Sequence, residues 1–239
     1  MNFWYVRSNY FYNSTGGVVL RLQRSEENLK SWIKYRSDIW RYDGAEEPLR
    51  RMANTNSNLY AYRFDWDEQN NSSFAGNYQL FVGAAHGLEI PFLTGDFDLG
   101  PITFYIKPFM FPDDSDEGRL ALSDLMMTYW ANIAKYGNPN EFVKGPKWEK
   151  FTQENNQLLI LDNPTANLVE MRTIPVSKDD LLSQIEADSA LEIKERCLIG
   201  WIAAQNFQED ARPQPPFNFC SNFTEEDLYK LRNLTEGRD

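Results

Sequence analysis

Along residues 59–66 aromatic side chains occupy every second position: Tyr60, Tyr62, Phe64 and Trp66 alternate with Leu59, Ala61, Arg63 and Asp65. A period of two predicts a strand, because successive side chains on a strand point to opposite faces. The run Gln157-Leu-Leu-Ile-Leu-Asp162 lacks this alternation and predicts a second, more deeply buried strand between Asn156 and Asn163-Pro164. Between them the period changes. Leu122, Leu125, Met126, Tyr129 and Ile133 recur at i, i+3, i+4, i+7 and i+11, which predicts a helix over about 117–136 with one buried face. The acidic run Asp113 to Glu117 suits its positive N-terminal end, and Lys135, Gly137 and Pro139 supply a cation, a C′ glycine and a stop. Further helices are expected across 31–38, 46–54 and 177–203, with weaker strand signals at 5–12 and 18–22. Alternation of strand and helix predicts an α/β layer built from crossovers. Two well-marked strands are few for a parallel sheet, which needs several strands and cover on both faces.

The chain has 239 residues, room for one large or two small domains. Its 35 acidic against 24 basic residues give a net charge of −11, which repels phosphate backbones and anionic lipid heads. No nucleic acid is therefore expected as a partner. The longest apolar run near the C-terminus, Cys197 to Ala204, is far too short for a membrane span. The start of the chain lacks the apolar core of a signal peptide, so the chain as given is expected to be soluble, with its compartment open. Cys197 and Cys220 allow one bridge or two free thiols. The sequons at Asn13, Asn70, Asn71, Asn222 and Asn233 matter only in a glycosylating host. Residues 205–239, polar and with Pro213, Pro215 and Pro216, are expected to form a tail or peripheral element on a domain spanning 1–204.

A single histidine, His86, makes every imidazole-based mechanism depend on one position and excludes a site with two histidine ligands. No metal or other cofactor is expected, because His86 with Glu89 alone would leave a metal under-ligated. His86 sits among Gly83, Ala84, Ala85 and Gly87, small residues that let other segments approach an imidazole closely. Two competing patterns are weaker. Ser31-Trp-Ile-Lys34 satisfies Ser-x-x-Lys but has no accompanying Lys-Thr-Gly, and Asp113–Glu117 lacks the glycine and glutamate spacing of a calcium loop. The aromatic strand has only Arg63 as an interleaved cation, so it reads as sheet packing and not as a platform for bases.

The segment Gly83-Ala-Ala-His-Gly-Leu-Glu-Ile-Pro-Phe-Leu93 resembles the histidine loop of type-B carboxylesterases and cholinesterases. In the same order as in that family, Leu59–Trp66 resembles the strand before the loop and Tyr129–Asn140 the helix after it. Trp148, Phe151 and Leu158–Leu161 resemble the last core strand. The resemblance is clearest over about 37–162 and extends loosely through Lys194-Glu-Arg-Cys197. It implies the C-terminal part of an α/β-hydrolase fold using a serine, an acid and a histidine in that chain order. His86 matches the catalytic histidine, which takes the serine proton and returns one to the leaving alcohol; an imidazole titrating near ~6.5 can do both at neutral pH. Glu89 matches a supporting position beside the site. The substrate implied is a small-molecule carboxylic ester, bound once an N-terminal part completes the site.

Three family features are missing. No serine stands in Gly-x-Ser-x-Gly, Ser14 in Asn13-Ser-Thr-Gly-Gly17 being the nearest. Only 85 residues precede His86, too few to hold the triad acid at the family's spacing, and the glycine-rich oxyanion loop is absent too. One expectation is therefore a serine esterase fragment, inactive alone. The other is a non-catalytic, esterase-like interaction or adhesion protein. Leu88, Phe92 and the aromatics of 104–111 are the candidates to touch substrate, each also a candidate for the core.

Overall fold

A computed structural model describes residues 26–69, 83–98, 100–173, 177–207 and 217–236. In chain order these form α1 (Glu26–Arg41), a π-helical turn (Tyr42–Glu46), α2 (Glu47–Ala53), β1 (Tyr62–Phe64), α3 (Glu89–Thr94), α4 (Thr103–Met110), α5 (Asp116–Tyr136), β2 (Gln157–Leu161), β3 (Glu170–Thr173), α6 (Lys178–Ala187), α7 (Ile193–Phe207) and α8 (Glu225–Glu236). The fold is helix-rich with a small mixed sheet, compatible with part of an α/β fold. No helix among the described residues is long and apolar enough to cross a membrane. The strand signals at 5–12 and 18–22, and Ser14, lie outside the described residues.

The chain divides into two compact units, residues 49–175 and residues 1–48 together with 176–239. In the 49–175 unit the sheet order is β1-β2-β3. β1 runs parallel to β2 with Tyr62 opposite Leu159, and β3 runs antiparallel to β2 with Leu159 opposite Met171. The regular part of β1 is shorter than the expected 59–66, but the ladder continues beyond it: Leu159 N donates to Ala61 O and Asp65 N to Leu161 O, both at 2.9 Å. Burial does not alternate cleanly along this strand. Leu59, Ala61 and Trp66 are buried, whereas Tyr62 is 38 % exposed, so packing reaches both faces of the strand.

The core of this unit is built from rings. Phe92 lies centroid to centroid 5.2 Å from both Phe64 and Trp66, and Trp148 lies 5.4 Å from Tyr129, at the steep interplanar angles that the ring quadrupole favours. Helix α5 adds Leu122, Met126 and Tyr129, three of the five positions expected on its buried face; Leu125 and Ile133 are half-buried beside them. It ends where expected, with Gly137 left-handed at φ 66° and its N–H on the Ile133 carbonyl.

The polar side chains in and just after the last turns of α5 are structural. Asn132 is buried in the helix, and its Nδ2 donates to the carbonyls of Pro139 (3.1 Å) and Glu141 (2.5 Å), closing the turn after the helix. Asn140 accepts from Trp148 N at 2.7 Å and donates to Trp148 O at 3.0 Å, which places the indole in the core. The Tyr129 hydroxyl donates to the Pro146 carbonyl, and burial pushes its pKa up to about 12.

The other unit has its own core, in which Trp32, Tyr35 and Ile39 of α1 join Leu181 and Ile185 of α6, Leu198 and Trp201 of α7, and Leu228 of α8. The single helix expected over 177–203 is two. Asp188 Oδ1 accepts from Ala190 N (2.8 Å), and Glu195 Oε2 accepts from Glu192 N (2.9 Å), so local side chains satisfy backbone groups that a continuous helix would have used. The Glu195 carboxylate is buried and also accepts from Asn28 Nδ2 (2.8 Å) and Trp32 Nε1 (3.2 Å). Cys197 and Cys220 form a disulfide, with Cα atoms 5.6 Å apart. Together with Phe217 and Leu228 the bridge ties residues 217–236 into this core.

Candidate functional site

His86 lies at the tip of a tight turn that leads into α3. The amide of Leu88 donates to the Ala85 carbonyl (3.1 Å), and the backbone is left-handed at Gly83 (φ 50°) and Gly87 (φ 90°), conformations that glycine adopts without the Cβ penalty. Glu89, first residue of α3, turns its carboxylate back so that Oε2 accepts from Gly87 N at 2.8 Å. A negative side chain there also suits the positive end of the helix. The turn is then anchored to the core from below. Pro91 and Phe92 of α3 are buried, and the Phe92 carbonyl accepts from Ser123 Oγ of α5 at 2.8 Å.

The structure thus brings both sequence-predicted site residues, His86 and Glu89, into one turn, with His86 exposed and Glu89 half-buried. The Tyr62 hydroxyl has a raised pKa, first through burial and then through the charge of Glu89, which marks β1 as close to this turn. Of the residues expected as substrate contacts, Phe92 and Phe111 are fully buried core side chains, and Leu88 is half-buried in the turn.

One contact at the turn has no sequence signal. Gln69 is 5 % exposed, and its Nε2 donates to the Gly83 carbonyl at 3.0 Å, across 14 positions of sequence. No periodicity or motif marks Gln69, because its burial is a tertiary fact.

Beyond β1 and β2 the strand ends gather negative charge. Arg63 holds Asp65 through two guanidinium nitrogens, Nε and Nη2, and Asn163 Nδ2 donates to Glu68 Oε1 at 2.9 Å. Burial, reinforced by Asp67, Asp65 and Glu68, pushes the Asp162 carboxyl up to about 6. No group of acidic, histidine or cysteine side chains among the described residues has the geometry to hold a metal ion. The acidic run 113–117 instead forms a 3₁₀ turn and the first turn of α5, where Asp116 pairs with the buried Arg119 and the Arg119 guanidinium lies 4.1 Å from the centroid of Phe97.

Two other candidates resolve into structure. Lys34 of the Ser-x-x-Lys pattern is bonded to Asp38 and Gln184, both at 2.9 Å, and Ser31 hydrogen-bonds Asp188, so the lysine is committed elsewhere than to the serine. A groove of about 480 Å³ runs beside Tyr60 and Trp148, but its polar walls are paired with each other: Lys147 with Glu149 (3.0 Å) and Lys150 with Asn58 (2.7 Å).

Comparison with known proteins bears on the family of the chain. The model of the carboxylesterase family matches residues 12–178, which include the histidine turn, α5 and both parallel strands. The chain belongs to the carboxylesterase family. Among curated proteins, chicken (Gallus gallus) acetylcholinesterase is 32 % identical over 103 residues, 43 % of this chain and 11 % of that protein. Cat (Felis catus) carboxylesterase 5A is 33 % identical over 159 residues, 66 % of this chain and 25 % of that protein. Macaque (Macaca mulatta) neuroligin-3 is 40 % identical over 68 residues, 28 % of this chain and 30 % of that protein. This carboxylesterase-family chain therefore spans less than a third of the length of each of these relatives. No solved structure matches it significantly.

Proposed function

We propose that this chain is the histidine-bearing C-terminal part of a carboxylic-ester hydrolase, with His86 the proton-transfer residue of a Ser–acid–His triad. A preceding segment supplies the serine, the acid and the oxyanion loop. The observation that carries the reading is the histidine turn itself: an exposed imidazole on a backbone held by Glu89, inside the region that matches the family. In the reaction His86 takes the proton of the serine hydroxyl as it attacks the ester carbonyl, and then delivers a proton to the departing alcohol. Glu89 acts through the backbone, keeping Gly87 and with it the imidazole in place. The position of β1 at the edge of the described sheet, with Tyr62 part-exposed on it, fits a strand that a further segment covers.

The test joins the chain to coding sequence upstream that contains Gly-x-Ser-x-Gly. The joined protein hydrolyses a short-chain aryl ester, and His86→Ala lowers kcat by about 10³-fold or more. The 239-residue chain alone shows no such hydrolysis, because it lacks the oxyanion donors that sustain residual catalysis. Turnover by the chain alone that an organophosphate abolishes would overturn the reading.

A second reading is favoured by the neuroligin-3 match, since neuroligins are non-catalytic members of the family. It makes this chain part of an esterase-like interaction protein. An upstream elbow in which the serine is replaced, together with no turnover by the joined protein, decides for it.

A further inference from the structure

The geometry points to Gln69 as a positioning residue for His86, an inference that rests on the reading of His86 as the functional imidazole. Gln69 is a long amide buried to 5 % exposure, a placement that costs it both rotamer freedom and hydration. Only the nitrogen end of the amide returns part of that cost. Nε2 donates to the Gly83 carbonyl at 3.0 Å, while Oε1 is buried without a hydrogen-bond partner. The buried Oε1 is a standing cost to stability, which the bond donated to Gly83 must offset. The donated bond accomplishes something a leucine would not: it fixes the carbonyl three residues before His86.

On the far side of the imidazole Glu89 Oε2 fixes the Gly87 amide at 2.8 Å. His86 therefore sits between two side-chain brackets, Gln69 on Gly83 and Glu89 on Gly87. Both bracketed residues are glycines with positive φ, and Ala84 and Ala85, which lead to His86, have no side chain large enough to hold the turn by packing. The backbone of this turn sets where the exposed His86 imidazole stands. The backbone of Gln69 is fixed from the strand side, where its main-chain N–H donates to the Asp67 carbonyl at 2.8 Å just after β1. The bracket thus ties the histidine turn to the end of the parallel strand.

The test uses the full 239-residue chain and needs no esterase activity. Hydrogen exchange read by mass spectrometry follows the amides of Gly87 and Leu88, and NMR of ¹³Cε1-labelled histidine gives one signal, because His86 is the sole histidine. In Gln69→Leu the exchange at 87–88 accelerates about tenfold relative to wild type, equivalent to 1.4 kcal/mol. The histidine signal moves toward its position in the urea-unfolded chain, while α5 exchanges at the wild-type rate. Gln153→Leu, which removes an exposed glutamine bonded to Asn54 Oδ1, leaves both readouts unchanged. Should Gln69→Leu fail to fold, Gln69→Met preserves the length of the side chain and removes the donor, with the same result expected. An unmoved histidine signal, or equal acceleration in α5 and the turn, would overturn the proposal. Failure of the esterase assay leaves this outcome untouched, so the two readings fail separately.

Discussion

The double replacement Cys197→Ala/Cys220→Ala removes a bridge that closes 23 positions of sequence. In the chain-entropy treatment a loop of that length constrains the unfolded chain by about 3.4 kcal/mol at 25 °C. Both cysteines are fully buried, so the alanines add the cost of two small voids, and about 3.5–5 kcal/mol in total is expected. Against a stability of ~5–15 kcal/mol for a domain this is a large fraction. The loss belongs to the core of α1, α6, α7 and α8, because both sulfurs lie there. Pulse proteolysis or hydrogen exchange across a urea series reads the two cores separately, through peptides of α7 and of α5. With a urea slope of about 1.5 kcal/mol per molar, the midpoint of α7 falls by about 2–3 M while that of α5 holds. An α7 midpoint unchanged by the replacement, or an equal fall in both, would refute the reasoning, the first by denying the constraint and the second by denying the independence of the cores.

Gly118 lies in the first turn of α5, where an added Cβ would stand 2.3 Å from Asn163 Oδ1. That oxygen already accepts from Thr165 N and Oγ1, so it has little room to yield, and Gly118→Ala is expected to lower stability by about 1–3 kcal/mol in a thermal melt. Asn132→Ala leaves the carbonyls of Pro139 and Glu141 without their buried donor. A loss of about 1–3 kcal/mol is expected, with exchange accelerated in 138–142 before the rest of the unit. For Asp162 the sign is set by a folded pKa of about 6, above the ~3.9 of an unfolded aspartate. Its contribution favours the fold below pH ~4 and is lost as pH rises through about 6, so wild type loses stability across that window relative to Asp162→Asn. At pH 7 the asparagine variant is more stable by about 1–2 kcal/mol once solvent screening is allowed for, and a difference with the opposite pH trend would contradict the burial argument.

The elements legible in the sequence are those whose pattern and packing coincide. β2 is an apolar run because strands pair on both its sides, and α5 shows a helical period because one face meets the ring-built core. β3 was not legible: Glu170-Met-Arg-Thr173 has only Met171 half-buried, and it is a strand because β2 offers an edge. The break between α6 and α7 depends on Asp188 and Glu195 capping backbone groups, a competition that hydrophobic spacing does not register. The bridge was undecidable from two cysteines, since sequence spacing says nothing of the 5.6 Å between their Cα atoms. His86 stood out because it is alone and flanked by small residues. Gln69 did not, because only the folded chain brings an amide 14 positions away onto Gly83.

The unit built from both ends of the chain sets a timetable for synthesis. Trp32, Tyr35 and Ile39 form the apolar stripe of α1, yet the described partners of that stripe, from Leu181 onward, are translated roughly 140 residues after Ile39. At ~5–20 residues per second the stripe waits about 7–28 s outside the ribosome, while the intervening 49–175 unit has its own core and can fold first. During that interval the stripe of α1 lacks the partners that cover it in the folded unit.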